Sequence, residues 1–465
     1  MGTLLFTGAR QIVTCETADD RSVRSGEALA VREGTIVAVG PEHDLAARFP
    51  DAERVPCDGS VLTPGFVDSH THAVFGRWRA DEYALRCRGV PYMEIARQGG
   101  GILASVRDLR GRSEDELVEL TRPRLGEMLR QGTTTAEVKS GYGLRTEDEL
   151  KMLRVVRRLA EEGPMDLVPT FLGAHEVPPE YRENRAAYVD LVCQEMIPAV
   201  AEAGLAVFCD VFLEPGVFSA EEARRILETG RAHGLLPKLH ADELEGSGGA
   251  ELAVELDAVS ADHLGQVSEA GVRALAGSRT VATLLPATLF FLGRKEYAPA
   301  RRLWDTGATV ALATDFNPGS APSPSMPLVL TLACSQMGLD PLEALVAATA
   351  GGCALPHRWA GHAARRGAGR PGPLGGRGLP RNPLPVRHES GPRGLEAWRP
   401  GGLSLVEPPP HRLPCRSCPQ QCWKPCRTSA RGGSRRSWRK SSRRCGPPAP
   451  TCSTGPWTRT TTGAW

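Results

Sequence analysis

No apolar run in this 465-residue chain approaches the ~20 residues that a membrane-spanning helix needs, which excludes a helical membrane protein. The opening residues, Met1-Gly2-Thr3-Leu4-Leu5-Phe6, lack the basic start and long apolar stretch of a secretion signal. A soluble, cytoplasmic protein is therefore expected. Cys15, Cys57, Cys87, Cys193, Cys209, Cys334 and Cys353 show no paired spacing. That excludes a disulfide framework, and these residues read as reduced, mostly buried thiols. Internal repeats, coiled-coil heptads and a P-loop are also missing. Gly99-Gly100-Gly101 resembles a phosphate cradle but is not followed by Lys-Ser/Thr.

Acidic residues are scarce at one end. Residues 354–465 hold 21 Lys and Arg against 3 Asp and Glu, whereas residues 1–353 hold 35 against 51. The formal net charge of +2 thus hides an acidic body joined to a basic tail. Lysine is scarce in that tail too, with only Lys424 and Lys440, while Arg, Pro, Gly, Ser and Trp abound. Residues 341–350 read as a helix, and by His357 no hydrophobic period remains. Two readings fit. In one, a frameshift near residues 351–356 replaced the C-terminus with out-of-frame translation, since GC-rich codons encode Arg, Pro, Gly and Ala in any frame. In the other, the tail is a disordered arm that binds RNA or DNA. The abrupt break and the lysine shortage favour the first, so nucleic acid is not expected as a partner. Cys415, Cys418, Cys422 and Cys426 have the spacing of a thiolate metal site, but no structural signal surrounds them and no site is assigned.

Residues 1–58 read as β structure. Residues 28–31 and 35–39 flank Arg32-Glu33-Gly34 as a hairpin. From 59 to 353, apolar runs alternate with amphipathic stretches, as in βα units. Residues 147–161 predict a helix with Thr146 as its N-cap, and 219–231 predict another. Strands are predicted at 166–175, 207–213 and 279–285.

Pro64-Gly65-Phe66-Val67-Asp68-Ser69-His70-Thr71-His72 carries the most chemistry. If residues 61–67 form a buried strand, His70 and His72 face one point at its C-terminal end. Neutral imidazole suits zinc and iron, although two solvated histidines in a turn would be spelled the same way. Three later segments end alike: 235–240 in His240, 258–263 in His263, and 309–315 in Asp315. A polar residue repeatedly closing an apolar strand is what a (β/α)8 barrel uses, because its active site lies at the strand C-termini.

Together these motifs resemble the metal-dependent amidohydrolase superfamily and, within it, the imidazolonepropionase family. The resemblance runs from residue 1 to about 353. It rests further on Arg77-Trp78-Arg79, Gln98-Gly99-Gly100-Gly101-Ile102 and Glu137-Val138-Lys139-Ser140-Gly141-Tyr142-Gly143-Leu144. Phe171-Leu172-Gly173-Ala174-His175, His240-Ala241-Asp242-Glu243 and Asp315-Phe316-Asn317-Pro318-Gly319-Ser320 complete it. The implied fold class is α/β: a (β/α)8 TIM-like barrel over 59–353, with a small β-sandwich domain from the chain ends. Residues 1–58 would form one half of that sandwich. The second half should follow residue 353 with a pattern such as G-x-x-A-D-L-V, which is absent. That half is expected to be missing, and 354–465 to be an aberrant basic tail.

The resemblance implies hydrolysis of the ring amide C–N bond of 4-imidazolone-5-propanoate to N-formimidoyl-L-glutamate, in histidine degradation. His70, His72, His240 and Asp315 would hold one divalent or trivalent metal ion, zinc or iron. Glu243, His263 and Asp315 would be the catalytic set. His263 would orient the attacking water or stabilise the oxyanion, and Glu243 would act as general acid/base and hold the ring nitrogen. Lys139 would stay an ordinary lysine; carboxylated and bridging two metals is the alternative. The propanoate calls for a guanidinium. Arg79 would supply it, with Tyr142 and His175 beside it and Tyr92, Asn317, Gly319 and Ser320 as further contacts. Gly99 to Gly101 would form a mobile loop over the barrel mouth. The expected partner is a small anionic substrate, with no membrane; a homodimer is compatible with the sequence, which does not itself fix the oligomeric state. Another cyclic amidohydrolase or a nucleobase deaminase would share the metal set but would give Arg79, Tyr142 and His175 no task.

Overall fold

The computed structural model describes residues 2–352. Cys353, the basic segment, the Cys415–Cys426 spacing and most of the proposed frame break fall outside the described residues.

Seven short strands open the chain: β1 (Thr3–Thr7), β2 (Gln11–Val13), β3 (Val23–Arg24), β4 (Glu27–Arg32), β5 (Thr35–Pro41), β6 (Glu53–Pro56) and β7 (Val61–Leu62). They form a four-stranded sheet, β5-β4-β1-β6, and a three-stranded sheet, β3-β2-β7. Alternation in the strands decides what each sheet face meets. Leu29 and Val31 of β4 join Leu4, Phe6, Ile12 and Leu62 in a core between the two sheets. Ala28 and Ala30 face the other way, against Leu5 and Leu45. Leu45 belongs to α1 (Glu42–Arg48), which the sequence reading missed because Leu45 is its one buried residue. The β4–β5 hairpin turns at Glu33 and Gly34, with φ of 51° and 75°, as a two-residue turn between twisted strands requires.

Eight parallel strands then follow in chain order: β8 (Phe66–Thr71), β9 (Thr133–Lys139), β10 (Asp166–Ala174), β11 (Phe208–Leu213), β12 (Leu236–Ala241), β13 (Ser260–His263), β14 (Val281–Leu284) and β15 (Val310–Leu312). They make a nearly closed barrel. Its seam between β15 and β8 is held by a Thr71–Phe316 bridge and by two backbone bonds, Asp315 N–H to His70 O (3.0 Å) and His72 N–H to Phe316 O (2.8 Å). The Asp68 carboxylate adds bonds from Thr314 N (3.0 Å) and Thr314 Oγ1 (2.6 Å). The closing contacts therefore run through the residues that flank the candidate metal ligands.

One expected strand is divided. Residues 61–67 do not run as one strand: β7 belongs to the small sheet and β8 to the barrel. Pro64 lacks an N–H, and Gly65 passes so close to Thr134 that a Cβ there would sit 2.3 Å from its hydroxyl oxygen. The barrel strand thus starts at Phe66 and continues through His70.

Between β8 and β9 lie α2 (Ala80–Cys87), α3 (Tyr92–Arg97), α4 (Ile102–Arg110) and α5 (Glu114–Arg130), with α6 (Thr146–Glu162) after β9. Ser113 and Glu116 form a capping box on α5. Ser219 and Glu222 do the same for the helix Ala220–Ala232. Thr146 is not the N-cap of α6. Arg145 holds that position without a side-chain bond, and the Thr146 hydroxyl donates to Glu195 instead. Among the described cysteines none is disulfide-bonded; Cys15, Cys193 and Cys209 are buried and Cys87 is exposed.

Candidate active site

Side chains two residues apart on a barrel strand share a side, so β12 sends Leu236, Lys238 and His240 inward at rising heights. This builds the barrel interior in layers. Phe208, Val259, Val281 and Ala311 form an apolar floor, with Leu236 packed against it. Glu137, Lys139, Asp210, Lys238 and Asp262 form a buried charged layer. His70, His72, His240, His263 and Asp315 stand at the C-terminal rim and are also buried.

The structure brings the four expected metal ligands together. One ring nitrogen from each of His70, His72 and His240 lies within 4.8 Å of the others, and His70, His263 and Asp315 meet the same limit. Asp315 Oδ1 is 3.6 Å from His70 Nε2 and 3.5 Å from His72 Nε2. The ring tautomers follow from the partners. His70 Nδ1 lies 2.6 Å from Asp262 Oδ2, and a carboxylate can only accept, so Nδ1 carries the proton and Nε2 is left bare. His240 Nδ1 lies 3.0 Å from Asp210 Oδ2, off the line of a well-formed hydrogen bond. The Nε2 atoms of His70 and His240 are buried with no hydrogen-bond partner. Bare, buried nitrogens beside a carboxylate suit a cation. Burial, more than the neighbouring positive groups, holds His70, His72 and His263 well below the ordinary histidine value, so these imidazoles are neutral. Burial pushes Asp315 up to about 6 while Thr288 donates to its Oδ2 at 2.6 Å.

The backbone at the rim is strained. Asp242, His263, Leu264 and Asp315 all have positive φ, at 52°, 81°, 59° and 52°. Non-glycine residues seldom take this conformation, and here it falls where strand ends turn their side chains to one centre.

Glu243 Oε2 lies 3.5 Å from His263 Nε2. Burial, then the charges of Asp315 and Glu214, raise the Glu243 carboxyl well above its usual value and so favour its protonated form. Lys139 Nζ donates to Asp210 Oδ2 (2.7 Å) and Glu137 Oε1 (2.8 Å). Burial pulls its ammonium down, but Asp210, Glu137 and Asp262 outweigh that and hold it well above the usual lysine value. A carboxylated, anionic lysine would face those carboxylates with like charge.

A cavity of about 410 Å³ opens above the centre and reaches Arg79, Tyr142, His175, Asn317 and Ser320. Arg79 is 3% exposed, and its Nε and Nη1 have no hydrogen-bond partner. Its nearest carboxylate, Glu82 Oε2, is 3.7 Å from Nε. Gly319 does not extend toward the cavity as a contact of its own. A Cβ there would sit 1.9 Å from Arg79 Nη2, so the missing side chain makes room for the guanidinium. Asn317 Oδ1 accepts the N–H groups of Gly319 and Ser320, both at 2.8 Å. Tyr92 is a position of α3 whose side chain is outside the described set. Gly100 lines the cavity, and Gly101 N–H donates to Glu82 Oε1 at 3.0 Å.

His175 lines the same cavity. It stacks on His72 with ring centres 4.9 Å apart, and its Nδ1 lies 3.0 Å from Gly141 O. A carbonyl oxygen only accepts, so Nδ1 is protonated and Nε2 is a bare acceptor. Burial lowers this imidazole to about 3, which keeps it neutral. It suits a ring N–H better than a carboxylate.

Sequence reasoning missed several supporting residues. Glu149 accepts from Gly141, Gly143 and Leu144 N–H at 2.8–2.9 Å and so fixes the loop carrying Tyr142. Glu214 accepts from Glu245 N (2.8 Å) and Leu244 N (3.3 Å) and fixes the loop carrying Glu243. Asp210, Lys238 and Asp262 hold or face the ligands from below. A charged residue inside an apolar strand, as in Phe208-Cys209-Asp210-Val211-Phe212, was the available signal.

Comparison with known proteins gives the family and the fold. The amidohydrolase family profile matches residues 61–355, and that of the bacterial imidazolonepropionase-like composite domain matches 28–52. Imidazolonepropionase of Symbiobacterium thermophilum is 53% identical over 357 residues, 74% of this chain and 84% of that protein. Those of Geobacillus kaustophilus and Myxococcus xanthus are 48% and 50% identical, each over 75% of this chain and 85% of the relative. Among solved structures, guanine deaminase from C. acetobutylicum with bound guanine aligns at TM-score 0.55 and 15% identity, covering 76% of this chain and 86% of that one. A triazine hydrolase variant aligns at 0.58 and 17%, covering 76% and 82%. At such identities these two structures speak for the fold alone.

Proposed function

This chain belongs to the amidohydrolase family, among its imidazolonepropionases, and from that premise we propose how its own residues divide the work. The reaction is hydrolysis of imidazolone propionate in histidine degradation. The enzyme is metal-dependent, as its superfamily is. His70, His72, His240 and Asp315 would hold one ion, zinc or iron; three imidazoles and a carboxylate suit either. When bound, the ion supplies Lewis acidity that brings the pKa of water to roughly 7 and polarises the carbonyl.

Asp315, with one oxygen held by Thr288, keeps the other toward the centre, where it can accept a proton from the attacking water. Neutral His263 faces the same space and orients the water or steadies the developing oxyanion. Protonated Glu243 delivers its proton to the departing ring nitrogen and so prevents expulsion of an amide anion. Arg79 offers guanidinium N–H groups to the propanoate in a two-pronged bond, with Tyr142 lining the same cavity. His175 accepts an N–H of the substrate ring through Nε2. Asn317 and Ser320 line the same wall.

One observation carries the reading: ring nitrogens of His70, His72 and His240 meet, with Asp315 beside the first two, under a cavity whose wall carries a buried guanidinium with Nη1 lacking a hydrogen-bond partner. Turnover of imidazolone propionate, hydantoins and nucleobases by purified, metal-loaded protein tests it. Selective turnover of imidazolone propionate is expected. Preference for a neutral ring would point to another cyclic-amide substrate.

A further inference from the structure

Two lysines are fully buried in the barrel, and the hydrolytic steps use neither. Lys139 Nζ donates to Asp210 Oδ2 (2.7 Å) and Glu137 Oε1 (2.8 Å) and lies 3.6 Å from Asp262 Oδ2. Lys238 Nζ donates to Ser69 O (3.0 Å) and lies 3.3 Å from Asp262 Oδ2 and 3.8 Å from Glu137 Oε1. The oxygens they meet are the ones that hold imidazoles. Asp262 Oδ2 is hydrogen-bonded to His70 Nδ1, and Asp210 Oδ2 faces His240 Nδ1 at 3.0 Å. Both lysines therefore reach the metal centre through a carboxylate.

A buried ammonium is unfavourable unless it is well paired, so an apolar layer here would be the easier way to fill a barrel. The apolar floor of Phe208, Val259, Val281 and Ala311 keeps solvent from reaching these carboxylates from below. Their charge must be offset locally. Glu137, Asp210 and Asp262 set against Lys139 and Lys238 leave one net negative charge. Together with Asp315 this balances a divalent cation.

We propose that Lys139 and Lys238 are positioning residues of the metal centre. They fix Asp210 and Asp262, which in turn hold His240 and His70 with the proton on Nδ1 and Nε2 turned to the ion. Without its lysine, Asp210 loses a hydrogen-bond donor and Asp262 a cationic partner at 3.3 Å, and each is freer to turn away from its imidazole. This inference rests on the metal-centre reading above.

Metal affinity of the full-length chain, read by competition with a fluorescent zinc chelator, tests it. Wild type should hold one equivalent that His240→Asn loses. If it does not, the metal-centre reading fails and this inference falls with it. Lys139→Met and Lys238→Met should each weaken zinc binding roughly 10–100-fold, the usual effect of losing a group that orients a ligand. The metal-free chain should still melt cooperatively. Lys238→Met combined with Asp262→Asn should weaken binding little beyond the larger single change, because both act through His70. Unchanged affinity in folded lysine variants, or full additivity in the double variant, overturns this proposal alone. If the methionine variants do not fold, Lys139→Gln and Lys238→Gln keep a donor, lose the charge and decide by the same criterion.

Discussion

Replacing Arg79 with methionine isolates the recognition of the substrate's carboxylate. The guanidinium is buried, its Nε and Nη1 are unpartnered, and Gly319 leaves the space it occupies. A carboxylate bound there would gain two charge-assisted hydrogen bonds, each worth about 1.5–3 kcal/mol. Losing both removes ~3–6 kcal/mol, or ~10²–10⁴ in kcat/KM at about 1.36 kcal/mol per decade. Steady-state kinetics on imidazolone propionate and on the same ring with an ethyl group in place of the propanoate would measure this. The drop should appear with the first substrate and be nearly absent with the second. Arg79→Lys, which keeps charge but not the fork, should fall between wild type and methionine. The substitution also strips a partner from Glu82, 6% exposed, so some loss of stability is expected and both substrates must be assayed below the variant's melting range. An equal drop on both substrates would mean that Arg79 supports the loop and does not clamp the anion.

Two further outcomes are expected. Glu243→Gln should lower kcat by ~10²–10⁴ with KM little changed, since it removes a proton donor and keeps the side-chain shape; a pure KM effect in steady-state assays would move the proton-donor role elsewhere. Glu214 is pushed up to about 7 by burial, above its ordinary 4.5. Its contribution to stability is therefore complete below pH 4.5 and is lost as pH rises through about 7. Glu214→Gln should flatten the fall in melting temperature between pH 5 and pH 8, and a calorimetric slope equal to that of wild type would refute this.

The barrel and its rim were legible because an apolar run that ends in a polar residue has few other uses. His70, His240, His263 and Asp315 each follow such a run, and the structure places them together. The hairpin at Glu33-Gly34 was legible from its turn chemistry. The break at Pro64-Gly65 was misread because periodicity alone cannot tell which sheet a short strand joins. The role of Lys139 could not be read either: Glu137 shares its strand, but its other partners come from β11 and β13, and only the barrel cross-section brings Asp210 and Asp262 to it. The tautomer of His175 depends on one carbonyl, Gly141 O, that belongs to another strand's loop. Tertiary hydrogen bonds of this kind leave no periodic trace in a sequence.

Metal content by elemental analysis, compared between the full-length chain and its His70→Ala, His72→Ala, His240→Ala and Asp315→Ala variants, is the most direct measurement. Each variant that melts cooperatively should hold one equivalent less zinc or iron per chain than the parent, whatever the cysteines near the C-terminus bind. Undiminished metal in those folded variants, or full turnover by a parent chain stripped of metal, would contradict a hydrolase built on these four side chains.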